Sequence, residues 1–274
     1  MNINDSNTIR NAFLNEAHFT REMLGAGATQ IRQANYSQKG IYAQAFTSLS
    51  TGLERIGKLC YLLDTYIENG ASFPTSVELR KKFGHDLTKL YSYSKLIVGR
   101  RSISFKFLND ISGEIHQSII DVLNDFGKGD RYCNINLLVG THNQNDPIAK
   151  WFNFVDPLLY KKHVSPPRQK EIIANYEAIS NLLLNNVSTT IYISETGEPI
   201  TNPAEACLST EIFKAVAPYR QLYVLQIIRY WVEILSELGR QAEVLGCHVF
   251  PFFEEIFAIF YNSDRYFRDR KTWI

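Results

Sequence analysis

The stretch Phe46-Thr47-Ser48-Leu49-Ser50-Thr51-Gly52-Leu53-Glu54-Arg55-Ile56-Gly57-Lys58-Leu59-Cys60-Tyr61-Leu62-Leu63 decides how this chain folds. Phe46, Leu49, Leu53, Ile56, Cys60, Leu63 and Ile67 recur at three- and four-residue steps, which puts them on one face of a helix expected from about Ser37 to Glu68. Leu59, Leu62 and Tyr66 add a second apolar stripe, so the end of that helix should be covered on two sides and lie centrally. Asn69-Gly70 then supplies the left-handed conformation that ends a helix.

Outward from this element, Thr8 to Leu24 reads as a helix with Ile9, Phe13 and Met23 inward, broken at Gly25-Ala26-Gly27. Pro74-Thr75-Ser76 with Glu78 signals the start of a short helix that runs into Gly84. The next takes up at His85 or Asp86 and carries Leu87, Leu90, Tyr91 and Ile97. Asp110 to Phe126 places Ile115, Ile119, Val122, Leu123 and Phe126 on one face. Further on, Asp146 to Lys162 holds Trp151, Phe152 and Phe154, with Pro157 bending or restarting it, and Pro166-Pro167 opens a helix to about Leu184. Thr189 to Thr201 has the composition of a small β-hairpin. Glu205 to Ala217, Tyr219 to Leu245 and Phe252 to Asn262 complete the helices. The expected fold class is all-α: an antiparallel helical bundle over residues 1 to 140, and a helical extension over residues 141 to 274 packed on it, with one small hairpin. The polar run from Gly140 to Pro147 marks the junction, and the two parts can equally form one continuous domain.

Composition narrows the function classes. The chain has 274 residues, with 29 Lys plus Arg against 28 Asp plus Glu, and is 45% hydrophobic and 21% charged, which is ordinary globular usage. A formal net charge of +1 confines any nucleic-acid site to a local patch. Cys60, Cys133, Cys207 and Cys247 lie far apart, in neither a zinc nor a redox pattern. No two His stand at zinc spacing on one helix, no Gly-rich phosphate loop follows a strand, and no nucleophile-elbow serine occurs, so neither a metal nor a cofactor is expected. The first residues have no basic start and no apolar run, and no stretch is long enough to span a membrane; a cytoplasmic location with free thiols is the expectation.

The residues Ala45 to Leu59, with Leu53-Glu54 and Lys58, followed by Gly84-His85-Asp86-Leu87, resemble the HEPN superfamily, small helical bundles named for nucleotide binding in higher eukaryotes and prokaryotes. Its members are similar in having a long Leu-Glu-x-x-x-Lys helix, a loop, and a Gly-His-Asp-Leu start to the next helix. Arg131-Tyr132-Cys133-Asn134 is similar to an Arg-Tyr-x-Asn segment of some relatives. The resemblance covers residues 36 to 140. It implies a four- to five-helix bundle, dimerisation, and RNA cleavage in bacterial toxin or phage-defence systems. The chain departs from catalytic relatives in one respect: where His should follow Arg131, Asn136, Leu137 and Leu138 stand instead. A formal Arg-x4-His occurs at Arg80 and His85, interrupted by Gly84.

Cleavage at a 2′-hydroxyl without a metal needs a base that works near neutral pH and a cation for the crowded phosphate. His85 is the candidate base, with Arg80 or Arg131 as the phosphate clamp; a helix-start His that merely packs is the plain alternative. Glu54 and Lys58, four apart in the favourable order, are either an exposed helix pair worth about 0.2 to 0.5 kcal/mol or a partly buried pair that orients His85 or Arg131. Asp86, Tyr132 and Asn134 complete the supporting polar set. From Glu78 to Lys106 eight basic residues stand against two acidic ones. Lys81, Lys82, Lys89, Arg100 and Arg101 are therefore candidate RNA contacts, with Tyr91 and Tyr93 available to stack bases, or else a solvated face. Nine aromatics between Val249 and Trp273, with Arg265, Arg268, Arg270 and Lys271, predict core or dimer packing, or a tail that binds RNA or a partner protein. Two function classes follow: an RNA-directed or nucleotide-binding HEPN-like protein of a bacterial defence or toxin system, for which the resemblance implies metal-independent RNA cleavage as one activity, and a non-catalytic interaction or scaffold module. A homodimer is expected in either case.

Overall fold

The computed structural model describes residues 6–70, 72–141, 145–183 and 192–273. Helix α1, Ser6–Gln33, runs straight through Gly25-Ala26-Gly27, where a break was expected. These glycines are contact points. A Cβ on Gly27 would stand 2.6 Å from Leu49 Cγ, and one on Gly25 would stand 2.1 Å from the carbonyl oxygen of Trp273. Glycine costs a helix about 1 kcal/mol, and here the close approach of the neighbouring chain offsets that cost.

A single turn at Tyr36–Gln38 leads into α2, Gly40–Glu68. Phe46, Leu49, Leu53, Ile56, Leu59, Cys60, Leu63 and Tyr66 are all buried, while Leu62 and Ile67 are half-buried, so the two stripes cover this helix as their spacing requires. Gly70 turns the chain with φ +59°. Helix α3, Ser76–Lys82, opens on a reciprocal cap: the Glu78 amide donates to Thr75 Oγ1 (3.2 Å) and the Thr75 amide to Glu78 Oε2 (2.7 Å). After Gly84 at φ +55°, α4 spans Leu87–Arg101, and Asp86 caps it by accepting the Lys89 amide at 3.1 Å. Helix α5, Glu114–Lys128, begins later than Asp110 because Asp110 instead turns back to accept the Ser112 amide. Short α6 follows at Cys133–Leu138.

Asp146 caps α7, Pro147–Phe154, and Pro157 restarts the chain as α8, Asp156–His163. Phe154 points to solvent, whereas Trp151 is fully buried. Helix α9 is Pro166–Leu183; Leu184, residues 189–191 of the expected hairpin, and His142 with its two neighbours in the polar run lie outside the described residues. Strands β1, Tyr192–Ile193, and β2, Pro199–Ile200, pair antiparallel with Tyr192 opposite Ile200. Helix α10, Pro203–Val244, joins what were expected to be two helices. Proline inside a helix costs about 3 kcal/mol, but the turns after Pro218 are buried on nearly every side from Arg220 to Ser236, and that burial outweighs the lost hydrogen bond. The last aromatic segment is not one helix from Phe252 to Asn262. It folds as α11, Phe253–Ile256, a turn at Ala258–Phe260, and α12, Asp264–Asp269.

Among the described residues the fold is all-α with one small hairpin. Helix α10 is the central rod, packed by α1, α2, α5, α8, α9 and α12. One hydrophobic cluster runs from Phe13 to Trp273 and draws on residues before and after 140. Within it Arg220, fully buried, donates from Nε to Asp156 Oδ1 (2.8 Å) and from Nη1 to the Ala34 carbonyl (2.6 Å). Trp151 Nε1 donates to the same carboxylate at 3.0 Å, so the buried charges keep their hydrogen bonds. Among the described residues no helix is long and apolar enough to cross a membrane.

Candidate active-site cleft

The apolar stripes of α2 face the core, which leaves Ser50, Thr51, Glu54, Arg55 and Lys58 on a neighbouring sector. They form the floor of a cleft of about 440 Å³. Its walls are Glu16 from α1, Leu79 from α3, His85 from the α3–α4 loop, and Gly127 and Arg131 from the end of α5 and the turn beyond it. Two of the expected site residues, Lys58 and His85, are both bonded to a third, Glu54. Glu54 Oε1 accepts from Lys58 Nζ at 2.6 Å, and Glu54 Oε2 lies 3.0 Å from His85 Nδ1. The carboxylate is 18% exposed and Lys58 23%, so this is the partly buried pair rather than a solvated one.

The bonding orients the ring. A carboxylate only accepts, so Nδ1 donates to Glu54 and Nε2 is the nitrogen turned away from it. The imidazole is 71% exposed and projects from the protein over the cleft. Its position is held from below. Asn124 Oδ1, on α5, accepts the Leu87 amide at 3.0 Å, and Lys128 Nζ lies 2.8 Å from Asp86 Oδ2. The backbone of α5 crosses close to this junction: a Cβ on Gly127 would stand 3.9 Å from the His85 carbonyl oxygen. Asp86 is thus a cap and an anchor for the loop. Partial burial pushes its carboxyl up, but hydrogen bonds from Lys128, Thr88 and the Lys89 amide outweigh this and bring it down to about 2.

Arg131 reaches the same cleft and also lies over the Tyr132 ring, 5.1 Å from its centroid. Arg80 is exposed on α3 and does not line the cleft; Asn134 is exposed on α6 and does not line it either. Two residues not among the sequence-derived candidates join the site. Arg55 Nη1 binds Glu16 Oε1 at 2.5 Å and covers the Phe19 ring at 4.5 Å. Arg55 was within reach of inference, because it follows Glu54 and shares its sector of α2. Glu16 arrives only by the packing of α1.

The basic run after Glu78 is divided by the fold. Arg100 and Arg101 both bind Asp64, which is fully buried in α2: Arg101 Nε donates to Oδ1 at 2.9 Å and Arg100 Nη2 to Oδ2. Arg101 also holds Glu68 at 2.8 Å, and Tyr93 donates to Asp64 at 3.1 Å. Lys82 lies over the Tyr61 and Tyr93 rings, 4.5 and 4.2 Å from their centroids. Tyr91 is buried against Tyr230. Of the five candidate contacts Lys81, Lys82, Lys89 and Arg100 are exposed and Arg101 is half-buried, so pairing rather than burial separates them; Lys89 lies 4.0 Å from Asp86.

Three basic side chains, Arg55, Lys58 and Arg131, and a histidine oriented by a carboxylate thus share one cleft with two carboxylates. Such a set can hold an oxyanion and move a proton. No family model, no curated protein and no solved structure matches this chain.

Proposed function

We propose that this cleft cleaves RNA without a metal, in an RNA-directed or nucleotide-binding HEPN-like protein. The observation that carries the reading is the 3.0 Å contact between Glu54 and His85 in the cleft that Arg131 lines. In the proposed reaction His85 Nε2 takes the proton of a 2′-hydroxyl, whose oxygen attacks the adjacent phosphorus. The 5′-oxygen leaves and is protonated from solvent, and a 2′,3′-cyclic phosphate remains. Glu54 keeps the Nδ1–H tautomer and offsets the charge that develops on the ring. Lys58, Arg55 and Arg131 neutralise the non-bridging oxygens. A place in a bacterial toxin or phage-defence system, and a homodimer, are supported only by the resemblance of residues 36 to 140.

The decisive experiment is digestion of single-stranded and structured RNA in chelator, beside His85→Ala, Glu54→Gln and Arg131→Ala. Cleavage should persist in chelator and fall about 10²- to 10⁴-fold in His85→Ala, with an equal or smaller loss in Glu54→Gln. Arg100→Ala should leave RNA affinity unchanged, because that side chain is tied to Asp64. Absence of cleavage by folded protein would overturn the ribonuclease.

One observation favours the second reading, a protein-interaction module. Tyr132, Ile135, Leu137, Leu138 and Val139 are 50 to 86% exposed beside Arg131, an apolar ledge of the kind a partner covers.

A further inference from the structure

A second cleft, of about 680 Å³, opens between the first turn of α5, the end of α8 and α10, and shares no residue with the first. Asp110, Gly113, His116, Lys161, Lys162 and Tyr223 are among its walls. Behind it lies a fixed chain of hydrogen bonds. Asp264 accepts from Arg229 Nη2 at 2.8 Å through one oxygen and from Gln226 Nε2 at 2.9 Å through the other. Because the carboxylate only accepts, the Gln226 amide nitrogen faces it, and Gln226 Oε1 faces His116 Nε2 at 2.8 Å. That oxygen also only accepts, so Nε2 carries the imidazole proton and Nδ1 is left as a bare lone pair.

His116 is 8% exposed, and Nδ1 sits at the mouth of α5, 3.5 Å from where a Cβ on Gly113 would stand. Burial pushes this imidazole down, against the upward pull of the Gln226 hydrogen bond, so the neutral ring is the form that faces the cleft. Gly113 is the N-cap of α5 and has no side chain to receive the amides of the first turn. Lys161 and Lys162 rise on the opposite side, and the Lys162 ammonium lies 5.5 Å above the ring of Tyr223, whose hydroxyl is bonded to His163 at 3.0 Å. Two carboxylates stand at the rim. Both oxygens of Asp110 are engaged by Ser112, and Glu114 is exposed.

The cleft therefore offers donors for an oxyanion and, between them, one acceptor that needs a proton. We propose that it binds a protonated phosphate, either the free ion or a small phosphate monoester, with the lysines and α5 amides on its oxygens and its P–O–H donating to His116 Nδ1. Sulfate has the same shape and no proton to give, so the site should reject it.

The test follows the His116 ring nitrogens and the Gly113 to Gln117 amides by NMR while the full chain is titrated with inorganic phosphate, glycerol 3-phosphate and sulfate. Saturable shifts with a phosphate compound are expected, with sulfate at least tenfold weaker. The double variant Lys161→Ala/Lys162→Ala, whose side chains are exposed, should lose at least tenfold in phosphate affinity, while His85→Ala should bind as the parent does. Tighter binding of the ester or of the free ion supports the site in either case and names the source. No saturable shift with either compound, equal affinity for sulfate, or an unaffected lysine variant would overturn the proposal.

Discussion

Glu54 divides its two oxygens between Lys58 and His85, so a single carboxylate couples the cation on α2 to the imidazole on the following loop. Asp86 does the complementary work one residue on, fixing the loop through Lys128 and the α4 amides. Its carboxyl is held below the ordinary range, which means it contributes stability above pH 4, and that contribution is lost as pH falls towards 2. The expected size, with solvent screening allowed for, is on the order of 1 kcal/mol. Denaturant titrations of the parent and Asp86→Asn at pH 6 and pH 2.5 check this: the difference between them should shrink at the lower pH. At this scale the site was partly legible. The four-residue step from Glu54 to Lys58 and the Gly84-His85-Asp86 start are visible in the chain, whereas Asn124, Lys128 and Glu16 reach the site through tertiary packing that no local spacing encodes. Arg100 and Arg101 show the converse, since a basic run cannot reveal that a buried Asp64 waits on α2.

Between elements, the close contact of α1 and α2 rests on small residues facing large ones. Gly27 meets Leu49, and a Cβ on Gly52 would stand 2.7 Å from Leu24 Cδ2. Helix propensity alone says that Gly27→Ala stabilises the chain by about 1 kcal/mol. Packing says the reverse, because the added methyl enters occupied space, and the expected net effect is a loss of about 1 to 3 kcal/mol in chemical denaturation. This opposition also explains why α1 was expected to stop at Gly25: locally the glycines read as a terminator, and only the neighbouring helix shows them as a seam. The same holds for Pro218, which divides α10 on paper and is overridden by burial. Elements set by period and caps, such as α2 and α3, were legible to within a few residues.

For the molecule as a whole, the segment after Val249 closes the core instead of hanging from it. Phe257, Phe260, Phe267 and Trp273 are at most 2% exposed, and the Trp273 amide donates to Thr29 Oγ1 at 2.9 Å. Arg229, on α10, lies between the Phe107 and Phe267 rings, 4.4 and 4.9 Å from their centroids. Trp273→Ala should therefore cost about 3 to 5 kcal/mol, measurable as a lowered denaturation midpoint, with the far-ultraviolet helical signal retained in water. An unchanged midpoint would assign the aromatic segment to some other role. The central position of α10 has a consequence for synthesis. Helices α1 and α2 leave the ribosome roughly 150 residues before the buried part of α10 is made, which at about 5 to 20 residues per second leaves their apolar faces waiting for on the order of ten seconds. The rod around which the early helices gather is thus translated late, and a nascent chain stalled at residue 200 should remain open to protease where the released protein is closed.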